Sequence, residues 1–294
     1  MNGRAASIDG SLVGTAEARV SVYDRGFLYG DAVFEVLRTY GGVPFALDEH
    51  LARLQRSAER VFITLPVDDA TLRREVEHAL AAASNDESYV RIVVTRGTGP
   101  LSLDPDTAVR PLRVVLVEPV NPPSRDVYAG GIAVLLVHAR RAVDGTAAEG
   151  AKVSNYLANL LALRQARERG AQEALVVDAH GHVVEGASSN VFVVRAGHVA
   201  TPPESAGILA GITRSCILEA ARELRVPVEE RDLAVADVLG ADEAFVTSSI
   251  REVLPVVVAD GRPIGTGLPG PITRALHRRF RERVNMGDRP MPWD

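Results

Sequence analysis

The chain has 294 residues, 46% hydrophobic and 24% charged, with a formal net charge of −5. That composition is globular and supplies core for two domains, and the acidic balance argues against nucleic acid as a partner. One cysteine, Cys216, leaves no disulfide framework and no cysteine-based metal site, while a polar N-terminus and the lack of a long apolar run point to a cytoplasmic protein with no membrane partner.

In chain order, strands are expected around Val33, Ile92 and Val115, with helices at Asp48 to Phe62 and Ala70 to Ala83. Prolines and glycines cluster in NPPSRDVYAGG, residues 121–131. They suggest a small domain over 1–120, a linker over 121–131 and a larger domain over 132–294. Tyr156 through Arg169 carries leucines at helical spacing and Gly170 stops it. Ala174 to Val177 and Val191 to Val194 suit buried strands, with Gly181 in a hairpin turn between Val177 and Val183. Helices follow at Ile212 to Leu224 and Ile272 to Val284. Strands and helices mix without strict alternation, which favours an α+β fold over a doubly wound sheet. GTGLPG, residues 265–270, imitates a dinucleotide loop, but too little chain follows it to complete that unit.

Lys152 is the only lysine in the chain, and every other one of its 33 Lys and Arg residues is arginine. Tyr156 follows at i+4 and Glu185 lies among the later strands. An amine, a hydroxyl and a carboxylate suit pyridoxal 5'-phosphate: one to hold the aldehyde, one the phenolate oxygen, one a proton on the pyridine nitrogen. Lys152 and Tyr156 would point the same way if the helix began early enough. Phosphate ligands are sought at Ile212 and Thr213, where a helix opens, and at Arg53, beside the apolar stripe of its helix. Ser248 and Ser249 offer hydroxyls in the turn TSSIREVLP.

Taken together, these segments resemble the fold-type IV pyridoxal-phosphate enzymes. YDRGFLYGDAVFEVLR (23–38), EHLARL (49–54), YVRIVVTRG (89–97), AKVSNYLANLLA (151–162), VVEGASSNVFVV (183–194), GILAGITR (207–214) and EVLP (252–255) stand in the family's order. The resemblance implies a small N-terminal α/β domain, a larger C-terminal pseudo-barrel domain and at least a homodimer. It makes Lys152 the Schiff-base lysine, Tyr156 the phenolate partner and Glu185 the pyridinium partner. Arg53, Ile212, Thr213 and Ser249 become phosphate ligands, and Leu209 covers one face of the ring. Ala32 departs from the glycine many relatives carry.

Within the family, Tyr89 and Arg91 match a Tyr-x-Arg pair of branched-chain aminotransferases. On a strand these two side chains face the same way, and arginine grips a carboxylate bidentately. Tyr29, Phe34, Val36 and Ile250 complete the expected substrate pocket. Leu101 and Leu103 stand where D-amino acid enzymes place Arg-x-His, and Val36 replaces a lyase threonine. The expectation is therefore transfer from branched-chain or other hydrophobic L-amino acids to 2-oxoglutarate. Alternatives are a D-amino acid or (R)-amine transaminase, an aminodeoxychorismate lyase, or, remotely, a non-catalytic binding protein.

Overall fold

The computed structural model describes residues 3–139, 141 and 144–293. Its mixture of helices with two sheets is α+β, and the chain divides into two compact units. The first runs to Asn121 and takes in Gly145–Asn155; the second holds Pro122–Asp144 and the chain from Tyr156 onward.

The first unit comprises β1 (Ala5–Ile8), β2 (Ser11–Val13), α1 (Arg25–Tyr29), β3 (Ala32–Tyr40), β4 (Val43–Pro44), α2 (Leu47–Arg60), α3 (Asp69–Ala83), β5 (Ser88–Thr95) and β6 (Leu112–Pro119). Its six strands form an antiparallel sheet in the order β2-β1-β6-β5-β3-β4. Val36 pairs with Arg91 and Phe34 with Val93, so alternation sorts the side chains into two sets. Val33, Leu37, Val90, Ile92 and Val94 pack with Leu51, Leu54 and Ala58 of α2 and Leu72, Val76 and Ala79 of α3. Phe34, Val36, Tyr89 and Arg91 share the opposite face. Local chemistry sets the helix starts: Asp68 caps α3 by accepting from the Thr71 amide, and Asp24 caps α1 through the Gly26 amide.

The second unit comprises α4 (Arg125–Gly130), β7 (Ile132–His138), α5 (Leu157–Glu168), β8 (Glu173–Val177), β9 (His182–Gly186), β10 (Asn190–Arg195), β11 (His198–Thr201), α6 (Ile212–Glu223), β12 (Val228–Glu230), β13 (Leu233–Ala234), α7 (Val235–Leu239), β14 (Glu243–Ser248), β15 (Glu252–Ala259), β16 (Arg262–Pro263) and α8 (Pro271–Arg283). Its main sheet path is β12-β11-β10-β14-β15-β7-β8-β9-β13. β7 pairs parallel with both β8 and β15. A bridge from Gly186 to Ser189 then ties the end of β9 to the start of β10. Six strands, β10, β14, β15, β7, β8 and β9, therefore form a circuit that returns on itself, the curled sheet of the expected pseudo-barrel. Val134, Leu175, Val183, Val191, Val246 and Leu254 belong to the core of this unit.

Two segments depart from the sequence expectations. The proline-rich tract 121–131 carries α4, and its Tyr128 is buried with the hydroxyl donating to the Arg251 carbonyl. Lys152 is not part of a helix. The Phe34 amide donates to the Lys152 carbonyl and the Ser154 amide to the Ala32 carbonyl, so the lysine lies in an extended stretch bridged to β3. α5 begins only at Leu157, with Tyr156 as its N-cap. The spacing of Lys152 and Tyr156 is therefore not a helical i+4 relation. Val153 packs against the first unit's core and binds the backbone there instead.

Leu54 is fully buried between sheet and helices. Leu54→Ala should lower unfolding free energy by about 2–5 kcal/mol, read as a drop in the urea midpoint at unchanged slope.

Candidate active site

In the first unit, β3 carries two chemistries because its side chains alternate. Phe34 is buried, and its ring takes the Arg91 guanidinium at 4.0 Å and the Lys152 amine at 4.7 Å from its centroid. Both are cation–π distances. Lys152 is fixed further by its amide, which donates to the Ser57 hydroxyl at 3.1 Å. Val36 stands opposite Arg91 across the ladder, and Tyr89 precedes Arg91 by two residues on the same face. Tyr29 lies under the Arg25 guanidinium, 5.0 Å from its ring centroid. The fold thus joins Phe34, Val36, Arg91 and Lys152 directly, while Tyr29 sits at the end of the neighbouring helix.

Glu35 points the other way. Its fully buried carboxylate accepts from Arg53 Nε and Nη2 at 2.7 Å each and meets His50 Nδ1 at 2.7 Å. Arg53 does turn inward, but it spends these two donors on Glu35. Burial would push the Glu35 carboxyl up, yet the charge and hydrogen bonds of Arg53, then those of His50, bring it down to about 2. Burial holds His50 below its ordinary range despite Glu35 beside it.

In the second unit, Glu185 on β9 is held at both oxygens. Oε1 accepts from Arg141 Nη1 at 3.0 Å and Oε2 from the Leu209 amide at 3.2 Å. Arg141 is braced in turn by Asp144 at 2.7 Å and by the Ala206 and Gly207 carbonyls at 2.9 Å. Burial works against its charge, but Glu185 and Asp144 raise its pKa above the usual guanidinium value. Nothing in the sequence marked Arg141, which stands eleven residues before Lys152; only its position beside Glu185 gives it a role.

Asn190 donates to the Leu209 carbonyl at 2.9 Å and pairs across the ladder with Thr247. A Cβ on Gly211 would collide with Asn190 Oδ1, so a side chain where α6 begins would have to displace Asn190. Gly211 caps α6 with no side chain. The Ile212 and Thr213 amides donate to no protein acceptor among the described residues. The Ser249 and Ile250 amides, in the turn after β14, are likewise without one. Four unspent amides together with a helix N-terminus suit an anion. A braced carboxylate, an anion cradle and a lysine amine fit the chemistry of pyridoxal 5'-phosphate.

The family model for class IV aminotransferases matches residues 32–258. The chain belongs to the class IV aminotransferases. It is 38% identical, over 94% of each chain, to a provisionally assigned branched-chain-amino-acid aminotransferase of Methanocaldococcus jannaschii. It is 34% identical to a D-alanine aminotransferase of Bacillus licheniformis, covering 94% of this chain and 95% of that one. The crystal structure of the T.th. branched-chain amino acid aminotransferase with pyridoxamine 5'-phosphate superposes with a TM-score of 0.89 at 30% identity, covering 97% and 95% of the two chains. The chain is thus a fold-type IV aminotransferase whose cofactor is pyridoxal 5'-phosphate.

The buried cluster gives this class IV aminotransferase a defined acid response. Glu35 is depressed on folding, so its contribution is complete above its ordinary value of 4.5 and is lost as pH falls toward about 2. His50, also depressed, costs stability in the same direction below 6.5, because only the unfolded chain takes up its proton readily. Urea midpoints measured against pH should fall on acidification, and Glu35→Gln should flatten the portion below 4.5.

Proposed function

We propose that the enzyme moves an amino group from branched-chain or other hydrophobic L-amino acids to 2-oxoglutarate. The observation that supports this reading is the face shared by Phe34, Val36, Tyr89 and Arg91. It sets apolar walls, on the strand next to the lysine-bearing segment, beside a guanidinium from the adjoining strand β5. An apolar donor side chain suits Phe34 and Val36. The distal carboxylate of glutamate suits Arg91, assisted by Tyr89 and Tyr29, with the Ile250 amide available to the substrate's other carboxylate. Leu101 and Leu103 offer no cation for a D-amino acid and are 72% and 80% exposed.

Bound pyridoxal phosphate supplies an electron-withdrawing ring that makes a substrate's α-proton removable. Lys152 would hold the cofactor's aldehyde, and its amine would take and return that proton as a general base and acid. Glu185 would keep a proton on the pyridine nitrogen, and Arg141 with the Leu209 amide orients that carboxylate. Tyr156 would orient the ring through its phenolate oxygen and Leu209 would cover one face. Ile212, Thr213 and Ser249 would hold the phosphate, and the resemblance adds Arg53 to that set. The enzyme works as a homodimer in the cytoplasm; among the described residues no helix is long and apolar enough to cross a membrane.

The likeness to the D-alanine enzyme favours a second reading, a D-amino acid transaminase. A donor panel decides between them: L-leucine and L-glutamate should be turned over, and D-alanine as the preferred donor would overturn the proposal. Lys152→Ala should remove the yellow colour of the bound cofactor and lower turnover about 100-fold or more. Arg91→Ala should lower kcat/KM for L-glutamate about 10- to 100-fold while sparing L-leucine, and equal losses would remove its assigned role.

A further inference from the structure

We propose that Arg251 is a positioning residue that holds the Ser249 and Ile250 amides ready for the cofactor's phosphate, acting through the buried carboxylate of Glu173. This rests on the cofactor reading above. The turn joining β14 to β15 is only three residues long, Ser249 to Arg251, closed by the pairing of Ser248 with Glu252. Such a turn with unspent amides has little of its own to fix it.

Arg251 supplies what the turn lacks. Its Nη1 donates to Glu173 Oε2 at 2.6 Å, and its Nη2 to the carbonyl and hydroxyl of Ser188 at 3.1 and 2.9 Å. Its Nε and its own amide donate to the Ser248 hydroxyl at 3.2 and 3.3 Å, and its carbonyl accepts from Tyr128 at 2.9 Å. Glu173 is wholly buried on β8 and also accepts from the Ser188 and Ser189 hydroxyls at 3.2 Å each. A buried carboxylate left without a cation is costly, so the pairing is tightly defined. The cation that answers it belongs to the turn itself.

The clasp therefore ties two turns together. One follows the strand bearing Glu185; the other presents the free amides. Its planar fork contacts Glu173, Ser188 and Ser248 at once, which a single ammonium would not reproduce. The arginine that makes this clasp is the last residue of the turn, next to the two open amides. Arg251 thereby sets the phosphate end of the cradle relative to the acid that serves the ring nitrogen.

The test compares binding of pyridoxal phosphate with binding of pyridoxal, which lacks the phosphate, to the full-length apoenzyme by absorbance titration. Arg251→Met should raise Kd for pyridoxal phosphate about tenfold and change that for pyridoxal by less than about twofold. Arg251→Lys should fall between the variant and the wild type. Equal weakening of both ligands would reduce Arg251 to a purely structural part, and no weakening of either would also overturn the proposal. If Arg251→Met does not fold, Glu173→Gln keeps the volume, drops the charge and is judged by the same two constants. A wild-type apoenzyme that fails to bind pyridoxal phosphate would overturn the cofactor reading and this proposal with it. A wild type that binds it beside an Arg251→Met variant that binds it equally well would overturn this proposal alone.

Discussion

The hydrogen bond from the Phe34 amide to the Lys152 carbonyl is the constraint on which the first unit's chemistry depends. It fixes the lysine by main chain rather than by side-chain packing, in register with a strand whose own geometry the sheet enforces. Every other placement follows from that register. Phe34 receives the amine, Arg91 meets the same ring from the adjacent strand, and Glu35, one residue on, is directed to the opposite face. One strand thus separates a buried ion cluster that stabilises from an aromatic platform that holds two cations.

The second unit solves a different problem. A carboxylate must be held in one orientation, and the structure answers with a donor at each oxygen of Glu185, Arg141 at one and the Leu209 amide at the other. Among the described residues the same unit leaves amides without a protein acceptor at the start of α6 and in the turn after β14. Groups kept unsatisfied beside groups fully satisfied are the pattern of a binding site. Glu173, Asn190 and Tyr128 hydrogen-bond to the segments that present those amides.

Much of this was legible in the sequence because periodicity reports burial. The apolar stripe of α2 and the strands expected around Val33 and Ile92 are where the structure has them, and Pro271 forecast the start of α8. The ordered motifs carried the family, and with it the curled second sheet. What stayed hidden was set by tertiary placement. The helical spacing of Lys152 and Tyr156 misled, because backbone pairing with β3 extends residues 152–154 before any helix can start. Arg141 and Arg251 look like ordinary surface arginines in a chain rich in them. Only folding brings their partners, Glu185 and Glu173, within reach. For Arg53 the inward direction was legible and its carboxylate partner was not.

The scarcity of lysine has a practical consequence. With one ε-amine in the whole chain, a hydride reductant that traps an imine can mark a single side chain, and tryptic mapping of the product has one address to report. Arginine elsewhere keeps its charge without offering a competing nucleophile. Stray carbonyl compounds therefore find no second side-chain amine to condense with. The composition itself protects the reactive position from decoys.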